Sequence, residues 1–211
     1  MGLPTVHVVD DDAGLRDSLR LLLEASGLSV ATYETATEFL SVAIDPAGGC
    51  LLTDIRMPDL DGLELQRRLA ARPTRLPVIV MTGHGDVPLA VRAMKAGAVD
   101  FLEKPFTDVQ LLTAVQRALE QSRETRELGR LTAEAGRVLA LLTPREQEVL
   151  GMLIGGLSTK EIASRLSTSP RTIEVHRGRV FEKLRAGSLP DLVRISIAAG
   201  VRPVGSPIGA G

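Results

Sequence analysis

The sequence has one cysteine, no tryptophan and few other aromatic residues, with one tyrosine and four phenylalanines among 211 residues. A single cysteine cannot form a disulfide within the chain. Cys50 lies in the apolar stretch CLLT, where we expect a packed free thiol rather than a reactive one. These residues therefore predict a fold that depends on its apolar cores and not on disulfides.

Long apolar runs and targeting motifs are also lacking. No run approaches the roughly 20 apolar residues that a membrane span needs. The start, MGLPTVHVV, has no basic segment of the signal-peptide kind, and Val6 stands where a myristoylation motif has Ser or Thr. We expect a cytoplasmic protein with no membrane partner.

Charge is distributed unevenly along the chain. Residues 1–120 contain 17 acidic and 11 basic side chains, a net charge of −6, whereas residues 121–211 contain 9 and 14, a net charge of +5. This asymmetry predicts that the basic part binds a polyanion while the acidic part has another task. With 44% hydrophobic residues, the chain is long enough for two domains, each with its own core.

Short β-rich runs alternate with amphipathic helical patterns through the first half. The pattern predicts strands near residues 5–9, 28–32, 50–53, 77–81 and 99–102. It predicts helices near residues 14–25, 36–43, 61–70, 87–95 and 107–120. Five βα units predict an α/β fold in which a doubly wound parallel sheet is covered by helices on both faces.

Polar side chains follow four of the five predicted strands. In strand order they are Asp10 and Asp11, Asp54, Thr82, and Lys104. Parallel sheets bind ligands beyond the carboxyl ends of their strands, so we expect these side chains to lie close together. Three carboxylates and a lysine suit Mg²⁺ (or Mn²⁺), which would offset the repulsion between the acids.

Such a site gives Asp54 a chemical role. A carboxylate can attack phosphorus and form an aspartyl phosphate. Mg²⁺ and Lys104 would stabilise the charge on the transferring group, and the Thr82 hydroxyl could hydrogen-bond one of its oxygens. Asp12 is expected to be the N-cap of the first helix instead.

The first half contains four motifs: VVDDD, TDIRMPDLDG, MTGHGD and DFLEKPF. Together they resemble the receiver domain of two-component response regulators, over about residues 4–120. The run TGHGDVPLAVRAMKAGAVDFLEKPF is similar to the FixJ-type subfamily. The resemblance implies that a sensor histidine kinase phosphorylates Asp54. It implies a metal site formed by Asp10, Asp11, Asp54 and the backbone carbonyl of Arg56.

The same resemblance implies how phosphorylation is sensed. Lys104 would contact the phosphoryl group, and the Lys104–Pro105 peptide bond would be cis. Thr82 and Phe101 match the switch pair of the family, with Phe101 standing where many relatives have Tyr. His84, between glycines in TGHGD, is expected to be a loop residue near the site. Homodimerisation is expected at the helix near 87–95 and the fifth strand, through the apolar residues Val91, Met94 and Ala98.

The second half predicts a small helical domain. Residues 121–142 are charged and sparsely apolar, which is typical of a solvent-facing helical linker. Beyond it, residues 143–200 predict four helices, near 144–154, 159–166, 170–184 and 189–198. The segment 201–211 is rich in Gly and Pro, and we expect a disordered tail.

Capping residues mark the starts of these helices. Thr143 precedes a proline and has Glu146 at capping-box spacing. Ser158 or Thr159 is expected to cap the second helix, and Ser169 the third. The short turn between the second and third helices predicts a helix-turn-helix.

The helix near 170–184 has two different faces. Ile173, Val180 and Leu184 repeat at helical spacing and should face the core. The opposite side carries Arg171, Glu174, Val175 and Gly178, and its basic rim carries Arg177, Arg179, Lys183 and Arg185. Such a helix can enter the major groove of DNA, although the spacing alone also fits an ordinary solvated face.

The second half contains four characteristic segments: LTPREQEVL, GGLSTKEIASRL, SPRTIEVHRGRVFEKL and SLPDLVR. Together they resemble the LuxR/NarL-type helix-turn-helix, over about residues 140–198. The resemblance implies phosphate contacts by Lys160, Thr172 and Arg177. It implies base-facing positions at Glu174, Val175 and Gly178. Relatives often have Lys or longer polar residues at the first and last of these three positions.

Together these features predict a response regulator transcription factor whose partners are a sensor histidine kinase, double-stranded promoter DNA, RNA polymerase and a second copy of the chain. An aspartate-nucleophile phosphohydrolase, with Asp10 as nucleophile and Asp12 as acid, is an alternative. Such an enzyme has no need of a helix-turn-helix. A phosphate-independent repressor is disfavoured because every residue of the acidic site is present.

Overall fold

The computed structural model describes residues 3–42, 48–72, 76–83 and 87–205, and at Val87 the backbone alone. Residue 43 of the second predicted helix, His84, and residues 206–211 of the predicted tail lie outside these ranges. The chain divides into two compact units, Met1–Arg126 and Glu127–Gly211. Within the described ranges, no helix is both long enough and apolar enough to span a membrane.

The first unit is built on a five-stranded parallel sheet. Its strands β1 to β5 are Thr5–Val9, Ser29–Tyr33, Gly49–Asp54, Val78–Thr82 and Asp100–Glu103. They are arranged in the order β2-β1-β3-β4-β5, with every pair parallel. The intervening helices α1 to α4 are Ala13–Ala25, Ala36–Ser41, Gly62–Ala70 and Val87–Lys95. The predicted doubly wound α/β fold is therefore confirmed.

Alternating side chains of the central strands enter two separate cores. Leu51 and Val80 lie in one core with residues of α2 and α3. Leu52 and Ile79, which are the neighbours of these two residues on their strands, lie in the other core with residues of α1 and of α5, Asp108–Leu139. A parallel strand buried on both faces needs apolar residues at successive positions, which explains runs such as CLLT and VIVM. Cys50 is fully buried in the second core, and burial raises the pKa of its thiol to about 12, as expected of a packed cysteine.

Helix α5 is longer than the sequence predicts. It extends over Asp108–Leu139 as one helix, where the sequence predicts a helix ending at residue 120 followed by a separate helical linker over 121–142. Gly129 and Gly136 lie within it without interrupting it. Ion pairs of Arg130 with Glu127 and Glu134 are spaced three and four residues apart, the spacing that supports an exposed helix.

The second unit contains the four predicted helices. They are α6, Pro144–Ile154; α7, Thr159–Arg165; α8, Pro170–Lys183; and α9, Leu189–Ala198. Thr143 and Glu146 form the predicted capping box, and Ser158 forms a second one with Glu161. Ser169 caps α8 through the backbone N–H of Thr172. Asp12 likewise caps α1 in the first unit, as predicted.

The start of the predicted disordered tail is packed against α6, which corrects the prediction for residues 201–205. The backbone N–H of Val204 donates to the carbonyl oxygen of Gly151, 2.8 Å away. A Cβ added to Gly155 would lie 2.7 Å from the carbonyl oxygen of Val204, so the approach requires glycine there. Gly151 on α6 and Gly155, the C-cap of the helix, thus form a groove that this segment fills.

Candidate functional site

The carboxyl ends of β1, β3 and β5 bring two carboxylates and one ammonium together. Nζ of Lys104 lies 2.8 Å from Oδ2 of Asp10 and 2.7 Å from Oδ1 of Asp54. These residues are 94 and 50 positions away from the lysine in the chain. The Lys104–Pro105 peptide bond is cis, as the resemblance implies. The prediction that these strand ends converge is confirmed by these distances.

Asp10 is the most deeply buried carboxylate of the group. It is 1% exposed, and its Oδ1 accepts a hydrogen bond from the backbone N–H of Asp12 at 2.9 Å. Arg16 donates to its backbone carbonyl oxygen at 2.7 Å. Asp11, the next residue, is exposed. The first strand therefore ends in one fixed acid and one acid that faces solvent.

Asp54 is held at the end of the central strand by the loop that follows it. Its Oδ2 accepts a hydrogen bond from the backbone N–H of Arg56 at 2.8 Å. Gly62 begins α3, and its N–H donates to the carbonyl oxygen of Ile55 at 3.0 Å. A Cβ at Gly62 would collide with the carbonyl oxygen of Asp54, so a glycine is needed where α3 approaches the site.

Burial and charge act in opposite directions on this cluster. Burial raises the pKa of Asp54 above its ordinary value, although the hydrogen bond and charge of Lys104 oppose that rise. Burial lowers the pKa of Lys104, but the hydrogen bonds and charges of Asp10 and Asp54 outweigh it, so the pKa of Lys104 is raised. The lysine is thus a stable ammonium at neutral pH, but it does not fully offset the burial of Asp54.

The donor set of the site consists of oxygens. Within the described ranges, no three His, Cys, Asp or Glu side chains are grouped closely enough to hold a metal ion by themselves. Magnesium, however, takes one or two carboxylates and retains water or phosphate oxygens as its other ligands. Asp10 and Asp54, which both lie within hydrogen-bonding distance of the Lys104 ammonium, fit such partial coordination.

The two expected switch residues differ in exposure. Thr82 is 3% exposed at the end of β4, and its hydroxyl donates to the carbonyl oxygen of Gly83 at 3.3 Å. Phe101 on β5 is 44% exposed, and Val91 and Met94 on α4 are also exposed. Ala98, which the sequence predicts to join that apolar surface, is 7% exposed and belongs to the core, a correction to the prediction.

In the second unit, α8 has the two faces that its sequence predicts. Ile173, Val180 and Leu184 are buried. The opposite side is exposed at Arg171, Thr172, Glu174, Val175, Gly178 and Arg179, and Lys160 on α7 is exposed as well. The structure therefore offers these side chains to a ligand, while their roles in binding DNA stay predictions.

Glu174 on the exposed face of α8 and Arg177 on its basic rim have partners within the unit. Glu174 accepts a hydrogen bond from the Thr159 hydroxyl at 2.7 Å and lies 4.0 Å from the guanidinium of Arg177. The guanidinium of Arg177 also lies over the Phe181 ring, 5.6 Å from its centroid. These contacts restrict the rotamers of both side chains before any DNA is bound.

Lys183 is placed differently from the rest of the predicted basic rim. Its Nζ donates to Oε2 of Glu146 at 2.7 Å and to the carbonyl oxygen of Leu141 at 3.1 Å. Glu146 is 2% exposed, and the hydrogen bond from Lys183 lowers its pKa to about 2. This contact spans 37 positions, so helical spacing could not reveal it. Lys183 neutralises a buried acid instead of standing free beside the α8 surface.

Family models match both units. Residues 6–116 match the response regulator receiver domain. Residues 140–196 match the bacterial regulatory proteins of the luxR family. The matched ranges contain the strand-end cluster and the helix-turn-helix described above.

Similar proteins are known over nearly the whole length. The chain is 50% identical over 198 residues to the transcriptional regulatory protein FixJ of Azorhizobium caulinodans, covering 94% of each chain. It is 46% identical over 203 residues to FixJ of Rhizobium meliloti, covering 94% of this chain and 98% of that one.

Solved structures agree with these similarities. The response regulator StyR is 42% identical and superposes with a TM-score of 0.81, covering 93% of this chain and 99% of that one. Full-length FixJ from B. japonicum is 45% identical with a TM-score of 0.56, covering 93% and 97%. The chain therefore belongs to the two-component response regulators, and it is a transcription regulator of the FixJ type that combines a receiver domain with a LuxR-family DNA-binding domain.

Proposed function

We propose that Asp54 accepts a phosphoryl group from a sensor histidine kinase, and that the phosphorylated chain dimerises on promoter DNA to regulate transcription. The observation that carries the proposal is the position of Lys104, whose ammonium is within hydrogen-bonding distance of both Asp10 and Asp54. A cation fixed beside a carboxylate at the end of the central strand is suited to stabilising charge on a phosphoryl group attached to that carboxylate.

The phosphoryl group would pass directly from the kinase to Asp54. A carboxylate oxygen of Asp54 attacks phosphorus while the P–N bond of the kinase phosphohistidine breaks, and the bonding electrons remain on the imidazole nitrogen. Lys104 would contact the phosphoryl oxygens. Thr82 ends β4 next to Met81, which pairs with Asp54 on β3, and its hydroxyl would hydrogen-bond one of these oxygens. The chain promotes this step on itself and is not an enzyme for a separate substrate.

The excess of negative charge at the strand ends supports the binding of a divalent cation. Asp10, Asp11 and Asp54 are three carboxylates, and Lys104 contributes one positive charge. Mg²⁺ (or Mn²⁺), held by these carboxylates and the backbone carbonyl oxygen of Arg56, would supply the charge neutralisation that phosphoryl transfer requires.

The contacts of Asp12 argue against the phosphohydrolase alternative. That alternative requires Asp10 as nucleophile and Asp12 as acid. The Asp12 side chain instead accepts a hydrogen bond from the backbone N–H of Leu15 at 3.1 Å, which is the N-cap of α1. Asp10 is 1% exposed and Asp54 is 7% exposed, so Asp54 is also the more accessible of the two buried acids.

Dimerisation and DNA binding would use two different surfaces. Thr82 moving toward the phosphoryl group would leave space for the Phe101 ring, and the surface formed by α4 and β5 would then join two receivers. In the second unit, the α8 surface would enter the major groove, with Lys160, Arg171, Thr172, Arg177 and Arg179 on phosphates and Glu174, Val175 and Gly178 toward the bases. Such a dimer would recruit RNA polymerase in the cytoplasm, where the chromosome lies.

Sedimentation of the full chain tests the proposal. Acetyl phosphate with Mg²⁺ should convert the wild-type chain to a dimer and raise its affinity for promoter DNA. Asp54→Asn should stay monomeric, because the amide has nearly the same shape but cannot form the acyl phosphate. A labelled wild-type chain that stays monomeric while it binds DNA more tightly would contradict dimerisation as the output.

A further inference from the structure

Gln66 is a buried polar residue that joins α3 to α4. It is 3% exposed, and its Nε2 donates to the carbonyl oxygen of Ala93 at 3.2 Å. Its Oε1 is buried and meets no donor among the residues that the structure describes. A methionine would fill similar space without burying an unsatisfied acceptor. Burying the Gln66 amide therefore stabilises the fold less than burying a methionine there would. The hydrogen bond to α4 is the interaction that offsets this loss.

The acceptor of this bond lies at the carboxyl-terminal end of α4. The carbonyl oxygen of Ala93 also accepts from the backbone N–H groups of Ala96, at 3.1 Å, and Ala98, at 3.0 Å. Shortly after, the N–H of Val99 donates to the carbonyl oxygen of Val78 at 2.8 Å. This end of the helix is thus held both to α3 and to the sheet.

The opposite end of α4 is connected to the phosphorylation site along the chain. β4 ends at Thr82, and α4 begins at Val87. A displacement of Thr82 would therefore reach α4 at its amino-terminal end. A helix that is held at one end and moved at the other must tilt about the held end. Because Ala93 is buried while Val91 and Met94 are exposed, the tilt would move the exposed apolar surface.

We propose that Gln66 is the pivot about which α4 tilts when the receiver is phosphorylated. Gln66 is then a positioning residue, since it acts through α4 and does not touch the phosphoryl group. This inference rests on the proposed phosphorylation of Asp54. It adds which end of α4 stays fixed and which side chain fixes it.

Amide hydrogen exchange in the full wild-type chain provides the first test, with acetyl phosphate and Mg²⁺ as the probe. Phosphorylation should change exchange at Val91 and Arg92 by roughly tenfold, while the amides of Ala96 and Ala98 change much less. Equal changes at the two ends of α4 would overturn the pivot. Absence of label on Asp54 would overturn both the pivot and the proposed function, whereas label with equal changes overturns the pivot alone.

A substitution provides the second test. Gln66→Met keeps the length of the side chain and removes the donor, so exchange at Ala96 and Ala98 should rise roughly tenfold before phosphorylation. The gain in dimer association on phosphorylation should shrink by a similar factor, with labelling of Asp54 unchanged. Gln116→Met makes the same chemical change at an exposed position of α5 and should alter neither quantity. A Gln66→Met chain that exchanges and dimerises like the wild type would overturn the proposal, and if this variant fails to fold, the wild-type exchange pattern still decides.

Discussion

Nζ of Lys183 lies 2.7 Å from Oε2 of Glu146, which joins the end of α8 to the start of α6. Glu146 also completes the capping box of α6 by accepting from the backbone N–H of Thr143 at 2.8 Å. A buried carboxylate is stable only if it is neutralised and hydrogen-bonded, and these contacts provide both. Lys183 therefore stabilises the DNA-binding unit from within.

Acid should unfold the DNA-binding unit through Glu146. The folded-state pKa of Glu146 is about 2, below the ordinary value of 4.5, so on acidification the unfolded chain binds this proton first. The stabilisation is fully present above pH 4.5 and should be lost progressively as the pH falls toward 2. Denaturant unfolding of the full chain at several pH values, followed by a signal from the second unit, measures this loss.

Two variants isolate the contribution of Glu146. Glu146→Gln should flatten the acid dependence, because the amide does not titrate in this range. Glu148→Gln, which changes an exposed acid of the same helix paired with Arg145, should leave the dependence nearly unchanged. An acid dependence that survives Glu146→Gln would refute this assignment.

The affinity for DNA should depend on salt through the arginines of α8. Arg177→Ala should weaken binding to all sequences alike and reduce the slope of log affinity against log salt by about 1. Changes at Glu174 or Val175 should instead alter which sequences are preferred. Titrations at several salt concentrations, with Arg194→Ala on α9 as an exposed control, measure both effects. Lost sequence preference with an unchanged slope in Arg177→Ala would reverse the roles given to these residues.

Magnesium should stabilise the receiver before phosphorylation, because it would bind the folded arrangement of carboxylates and not the unfolded chain. At ten times its dissociation constant, the gain is about 1.4 kcal/mol. Thermal unfolding with and without Mg²⁺ checks this. Asp11→Ala should reduce the shift, whereas Asp17→Ala, at an exposed acid of α1 paired with Arg20, should not. Equal shifts in both variants would remove Asp11 from the metal site.

The segment 201–205 should stabilise the DNA-binding unit by filling the groove of α6. Gly155→Ala places a Cβ against the backbone of Val204 and should destabilise the unit by about 1–3 kcal/mol. In a chain that stops after Gly200, the same substitution should cost nothing, because its obstacle is gone. Gly136→Ala, where a Cβ meets nothing within 4 Å, is the control and should stabilise α5 by about 0.5–1 kcal/mol. A full cost of Gly155→Ala in the shortened chain would show that segment 201–205 is not the source of the cost.

Local rules predicted most of the fold and the strand-end cluster. Each strand is marked by its apolar run, and the helices are marked by caps such as Thr143 and Ser169, whose interactions involve neighbouring residues. The convergence of Asp10, Asp54 and Lys104 was predictable because the ends of parallel strands meet at one edge of the sheet. Because the alternation of strands and helices predicts a parallel sheet, it also predicts that residues distant in the chain meet at the strand ends.

The features that the sequence did not predict depend on partners far away in the chain. Lys183 has helical spacing suited to the basic rim, but the buried Glu146 engages it. Ala98 follows a helix that exposes Val91 and Met94, but Ala98 itself is buried in the core. The segment from residue 201 has the composition of a disordered tail, but the glycine groove of α6 gives its backbone a partner. In each case a tertiary contact outweighed the local pattern.

Mapping the phosphoryl group tests the proposed function most directly, since dimerisation and the proposed movement of α4 both depend on phosphorylation of Asp54. The full chain is incubated with acetyl phosphate and Mg²⁺, the acyl phosphate is trapped with hydroxylamine, and the modified residue is located by peptide mass. We expect modification at Asp54 in the wild type and none in Asp54→Asn. Modification at Asp10, or modification that persists in Asp54→Asn, would contradict the proposed function.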